Sequence, residues 1–258
     1  MAEQKITVTQ LKHAVLDPEW RQRWVADNQL QTPRPVSPTG TVPVKGQLFH
    51  QLASKFTDWL CNGRAKKTAR DLDTTEKLWH ELYERFAEAS LEKLAQQGQL
   101  ESALHLRHCL LAFCERLGEL RQGRTDFEDW QDIFLAEEMS VKEITLGDAD
   151  HKLWLSGRVD TIRTDPRHGV VVVDYKLSRG SEAKHDLLQL AIYAHLLEKS
   201  KPGLSFSGIL EYYEPQLQEV VVTHGELPDR RNAVVVPGLR AIQEPSTDGN
   251  RTHRQWQR

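Results

Sequence analysis

Residues 152–178 constrain the fold most tightly. "KLWLSGRVDTIR" and "GVVVVDYKLS" are two strand-like runs joined by "TDPRHG". A run of valines suits a strand buried on both faces. Pro166 and Gly169 mark a tight reversal between the runs. The pattern predicts an antiparallel hairpin with 165–169 as its loop and 164 facing 170. Counting outward from the loop brings Asp160 opposite Asp174. Directly opposed Cβ atoms lie about 4.5–5.5 Å apart, and like charges there repel. Such a pair calls for something positive between the carboxylates, and a hard divalent cation fits carboxylates and water best. Lys176 follows Asp174 by two residues and shares its face, while Tyr175 points the opposite way, into packing. The acids can hold a metal that lowers the pKa of bound water, and the lysine can orient that water or neutralise charge on a phosphate.

The rest of the chain sets this hairpin in context. Thr9 is placed to cap a first helix, and Pro18 to bend or end it. Residues 31–45, rich in proline, read as a loop. Leu48, Leu52, Phe56 and Leu60, with Phe49 and Trp59, then recur at helical spacing. Asp73 with Glu76 resembles a capping box for a helix running to Gly98. A further helix spans about 100–122. After residue 133 the period changes. Strands are predicted over 134–145, 152–163 and 169–178, a helix over about 183–199, and strands over 205–213 and 217–223. The order β-β-β-α-β predicts a mixed α/β (α+β) fold with one central mixed sheet flanked by helices. The expected division is a helical region at 1–133, a core at 134–236 and a polar tail or linker at 237–258.

Bulk properties exclude several classes. Hydrophobic residues make up 39% and charged residues 28%, the balance of an ordinary globular protein with a polar surface. The formal net charge of −3 does not announce a nucleic-acid binder, so any basic surface must be local. Cys61, Cys109 and Cys114 are the only cysteines, and no C-x-x-C pair occurs. A disulfide framework or zinc finger is not expected, and a reducing cytoplasm is. No apolar run is long enough to span a membrane, and the N-terminus carries no signal-like apolar segment.

"GRVD" on one strand, the hairpin, "VVVVDYK" on the next, and "QLAIY" on the following helix resemble the PD-(D/E)XK nuclease superfamily. The resemblance is to its RecB-like branch, which includes CRISPR-associated nucleases. It implies a restriction-endonuclease-like core and hydrolysis of DNA phosphodiesters with Mg²⁺ or Mn²⁺. Asp160, Asp174 and Lys176 take the catalytic positions. Gln189 and Tyr193, four apart and so on one helix face, border the site beside the stripe Leu188, Ile192 and Leu196. The resemblance also implies a metal-binding histidine on an early helix in a G-x-x-x-H context, and "GQLFH" places His50 there. His50, Asp160 and Asp174 are then the expected metal ligands. His50 is expected to share a polar face with Ser54 and Thr57.

One departure matters. Branch members with an iron–sulfur cluster carry a cysteine before a proline near the N-terminus and three more near the C-terminus. Here Asp17 stands at the first position, and no cysteine follows Cys114. A four-thiolate cluster has no ligand set, and a colourless protein is expected. Arg158, Arg163, Arg167, Arg179 and Lys184 lie near the site in sequence, and 62–70 adds further basic residues that can track a phosphate backbone. Arg158 and Arg179 are the expected substrate contacts. The resemblance also implies an exonuclease-like activity in repair, recombination or anti-phage defence, beside a helicase or ATPase. A catalytically silent nucleic-acid-binding or assembly module on the same fold is the alternative.

Overall fold

The structure is a computed structural model that describes residues 4–17, 19, 45–62, 71–146, 153–177, 183–200, 203, 205–214 and 216–238. The expected tail at 237–258 and the basic stretch 63–70 fall outside these residues, apart from 237 and 238, and so do Arg179 and Pro18.

The sheet forms around one long strand. β1 (Gln4–Thr7), β2 (Phe134–Leu146), β3 (Leu153–Asp165), β4 (Gly169–Lys176), β5 (Ser207–Tyr212) and β6 (Gln218–Val222) make a six-stranded mixed sheet. β2 pairs antiparallel with β3 along nearly its whole length. The other edge of β3 is shared. β1 takes Leu153–Ser156 in parallel, and β4 takes Thr161–Asp165 antiparallel. β4 pairs parallel with β5, and β5 antiparallel with β6. The hairpin register has Thr164 opposite Val170, as counted from the sequence. The turn is pinned where Arg167 N–H donates to Asp165 Oδ1 at 2.8 Å, and Gly169 follows at φ 70°. That left-handed backbone favours glycine.

Two helical layers cover the sheet. α1 (Val8–Leu16), α2 (Lys45–Asn62), α3 (Thr75–Leu82), α4 (Glu88–Gln96), α5 (Leu100–Gln122), α6 (Ala183–Ser200) and α7 (Glu226–Arg230) are the helices, with a π-turn at Tyr83–Ala87 linking α3 to α4. One core joins α2 to α5 with Val171, Val173 and Tyr175 of β4. The other joins α1 and α6 with Val172 of β4 and Leu155 and Val159 of β3. The alternating valines thus feed both layers, which is why that strand reads as uninterrupted apolar sequence.

Several local expectations are corrected. The N-terminal segment is not wholly helical, because Gln4–Thr7 extend the sheet. The cap of α1 is Thr7, not Thr9: its Oγ1 accepts from Gln10 N–H at 3.2 Å while Gln10 Oε1 accepts from Thr7 N–H at 2.8 Å. A β-strand ending at Thr7 leaves that residue extended, as an N-cap must be. Thr74, not Asp73, caps α3, and Asp73 instead pairs with Lys77 at 2.7 Å. Thr57 is fully buried, its hydroxyl turned back onto Ala53 and Ser54 carbonyls, so the face of α2 near His50 is not uniformly polar. α6 is buried over Leu190–Leu197 on all sides rather than along one stripe, because the sheet and α1 enclose it.

Candidate active site

The site lies where the shared edge of β3 changes partner. β2 occupies one edge throughout, so β1 and β4 must meet the other. Gly157–Asp160 fall between their pairings. β1 runs parallel to β3 and β4 antiparallel, so both C-terminal ends point into this gap. Such a topological switch point beside strand C-termini is where open α/β sheets form ligand crevices. Asp160 sits at its end.

Gly157 explains how close the layers come. A Cβ there would collide with Val8 Cγ2 at the start of α1. It would also lie 3.1 Å from Tyr193 Cε1 and 3.2 Å from Leu196 Cδ1 on α6. Only glycine lets α1 and α6 close over the strand at this point.

Asp160 joins α2 to the sheet. Its Oδ1 lies 3.0 Å from His50 Nδ1 of α2, and its Oδ2 accepts from Tyr175 N–H at 2.8 Å. The carboxylate thus takes a backbone donor just past the last paired residues, Thr161 and Val173. Tyr175 turns its ring into the α2–α5 core, 6.1 Å from Phe49 and 5.7 Å from Phe113 between centroids. Its contribution to the site is therefore its backbone N–H. Burial pushes the His50 imidazole down, but the hydrogen bond and charge of Asp160, with the charge of Asp174, outweigh it and raise its pKa.

Asp174 faces the other layer. It is 2% exposed, and its Oδ2 lies 2.6 Å from Lys176 Nζ. Burial pushes its carboxyl up to about 7, against the lowering effect of Lys176 and with the added repulsion of Asp160. Lys176 is raised overall: burial alone would lower it, and the charge of Asp174 more than compensates. Gln189 of α6 ties these groups together. Its Oε1 accepts from Lys176 Nζ at 3.1 Å, and its Nε2 donates to Asp174 Oδ1 at 3.3 Å and to Tyr193 Oη at 3.1 Å. Burial and the charge of Asp174 raise the Tyr193 phenol and keep it neutral.

Three neighbours carry no motif signal in the sequence. Lys12 of α1 reaches Gln189 Oε1 at 3.3 Å. Asp186, one turn before Gln189, lies 3.6 Å from Lys176 Nζ and 3.9 Å from Lys12 Nζ. Tyr212 Oη donates to Asp186 Oδ2 at 2.9 Å. The spacing of Asp186 and Gln189 on one helix was the only hint, and nothing in the sequence brings Lys12 or Tyr212 to them.

Of the basic residues expected near the site, Arg158 is exposed on β3. Arg163 is not available to a phosphate. It is fully buried against Glu211, which also takes Arg116 Nε at 3.1 Å and the Tyr213 hydroxyl at 2.8 Å. Arg167 pairs with Glu219 at 2.8 Å beside the hairpin turn. The expectation failed because charge was read without its face: a residue three along from Asp160 projects into the α5 layer.

The donor set suits a hard divalent cation in kind: an imidazole nitrogen and two carboxylates, one of them buried. As arranged, His50 holds Asp160 and Lys176 holds Asp174. Among the described residues no three His, Cys, Asp or Glu side chains group to enclose a metal ion. The residues fit the ion in kind, provided Lys176 gives up Asp174.

The sequence model of the PD-(D/E)XK nuclease superfamily matches residues 21–255. The chain belongs to that superfamily. Its mixed sheet between helical layers is consistent with the restriction-endonuclease-like fold of the superfamily. No curated protein matches the chain. Among solved structures, that of SSO0001 aligns at 15% identity over 86% of each chain, with a TM-score of 0.28. No helix among the described residues is long and apolar enough to cross a membrane.

Proposed function

We propose that the chain is a divalent-metal-dependent deoxyribonuclease of the RecB-like branch, hydrolysing phosphodiester bonds in DNA in an exonuclease-like manner. One observation carries this reading. His50, from a helix far upstream in the sequence, joins Asp160, Asp174 and Lys176 of the β3–β4 hairpin beside the gap in the β3 edge.

In this reading His50, Asp160 and Asp174 hold Mg²⁺ or Mn²⁺. When bound, such an ion acidifies water and neutralises charge on a phosphate oxygen. Lys176, freed from Asp174, places its ammonium beside the scissile phosphate, where negative charge grows during attack. Gln189 fixes where that ammonium sits, and Tyr193 fixes the amide of Gln189. Arg158 and Arg179 contact the DNA backbone. No iron–sulfur cluster is involved, so the purified protein is colourless. A cytoplasmic setting in repair, recombination or anti-phage defence, with a helicase or ATPase partner, accords with the branch.

The assay is purified protein with Mg²⁺ or Mn²⁺ on linear, circular, nicked and end-blocked DNA. The expected result is metal-dependent cleavage of free ends that Asp174→Ala abolishes. Absence of cleavage with either metal, together with absence of Mn²⁺ binding, would overturn it. The self-paired state of the acids favours one other reading, a silent DNA-binding module; such a module would bind DNA without taking up Mn²⁺ through Asp160.

A further inference from the structure

Asp174, Lys176, Asp186 and Lys12 form a chain of alternating charge that begins at an acid assigned to metal. Lys176 Nζ lies 2.6 Å from Asp174 Oδ2 and 3.6 Å from Asp186 Oδ1, so it stands between two carboxylates. Lys12 Nζ lies 3.9 Å from the same Asp186 oxygen and shares Gln189 Oε1 with Lys176. Asp186 is 6% exposed, sits in the first turn of α6 where the helix dipole favours negative charge, and is held from behind by Tyr212. None of these contacts reaches Asp160 or His50 among the described hydrogen bonds and ion pairs. The cluster is charge-balanced without a metal. It becomes unbalanced when a divalent cation claims Asp174, because the Lys176 ammonium then loses its nearest counter-ion inside a largely buried site.

We propose that Asp186 is the positioning residue that receives the Lys176 ammonium when a divalent cation takes Asp174, and that Lys12 competes with Lys176 for it. This rests on the metal-dependent reading above. Asp186 thereby lowers the cost of loading the site and keeps Lys176 close to the reaction instead of expelling it. Lys12 acts in the opposite sense, since it occupies the carboxylate that Lys176 needs. Residue 12 lies on α1, outside the span matched by the superfamily model, 21–255.

The test is Mn²⁺ binding by the full chain, read from the free-ion electron paramagnetic resonance signal, with no DNA present. Asp186→Asn should weaken Mn²⁺ binding about fivefold and Lys12→Met should tighten it by a similar factor, the scale of a partly screened ion pair. A neutral loss of packing would instead weaken binding in both variants. Simple long-range attraction between Asp186 and the cation would give the same signs, so the deciding measurement is made in a Lys176→Met background. There the Asp186→Asn effect should shrink to under about twofold, because the residue it acts through is gone. An equal loss in both backgrounds, no loss in the wild-type background, or weaker binding by Lys12→Met overturns the proposal. Lys12→Met lies on a different helix, so it remains decisive if Asp186→Asn fails to fold. If the wild type takes up no Mn²⁺, the metal reading itself fails and the proposal falls with it; the variants cannot produce that result.

Discussion

Replacing Arg163 by methionine tests how the sheet beneath the site is held. Arg163 of β3 and Glu211 of β5 are both fully buried and are joined across the intervening β4 by the guanidinium of Arg163. Removing one member of a buried pair costs about 3–5 kcal/mol, since it strands the other charge. Glu211 retains Arg116 Nε at 3.1 Å and the Tyr213 hydroxyl at 2.8 Å, so the lower end, about 3 kcal/mol, is expected here. Burial pushes the Glu211 carboxyl up, but Arg163 and Arg116 outweigh it and hold it below its ordinary value of 4.5. A depressed carboxyl stabilises the fold above that ordinary value and loses its contribution as pH falls through its folded value. The gap between wild type and Arg163→Met should therefore be full near pH 7 and narrow below pH 4.5. The double variant Arg163→Met/Glu211→Leu removes both charges and should be more stable than Arg163→Met alone, by about 1–2 kcal/mol. Urea unfolding followed by circular dichroism from pH 7 into the acid range measures each value. A single-variant cost under about 1 kcal/mol, a gap that does not change with pH, or additive losses in the double variant would refute the reasoning.

Gly157→Ala should cost about 1–3 kcal/mol of stability from overpacking against Val8, Tyr193 and Leu196, and should lower cleavage further by shifting Tyr193 and Gln189; thermal melts and cleavage rates separate the two effects. Lys176→Met should slow DNA cleavage about 10²–10³-fold while binding Mn²⁺ no more weakly than wild type, because the lost ammonium both stabilised developing charge and competed for Asp174. Weaker Mn²⁺ binding by that variant would contradict the competition. Burial pushes the Cys109 thiol up to about 11, so alkylation by iodoacetamide at pH 8 should be slow in the native protein and fast in urea; equal rates would place the thiol at the surface.

Much of the frame was readable in the residues because it rests on short-range rules. Pro166 and Gly169 fix a turn, and together with period two they gave the hairpin register seen from Asp165–Gly169 to Thr161–Val173, which brings Asp160 and Asp174 to the end of the paired strands. The helix bearing Gln189 and Tyr193 follows from spacing in the same way. Where local rules compete, the reading slipped. Thr7 and Thr9 both suit an N-cap, and only pairing of Gln4–Thr7 to β3 decides between them. Charge near the motif suggested DNA contacts, yet Arg163 projects into the α5 layer and is consumed by Glu211.

The sequence by itself determined the β-β-β-α-β succession after residue 133, the hairpin and which acids and lysine it carries, since each depends on neighbours a few residues away. The tertiary structure alone decided what surrounds them. That β1 and β4 share one edge of β3 and leave a gap is a property of strand pairing across most of the chain. Closure over Gly157, and the meeting of Lys12, Asp186 and Tyr212 behind Lys176, depend on how α1, α6 and β5 pack. Such contacts join residues with no periodic relation, so no pattern along the chain announces them; only the packed layers bring the charges within reach of one another.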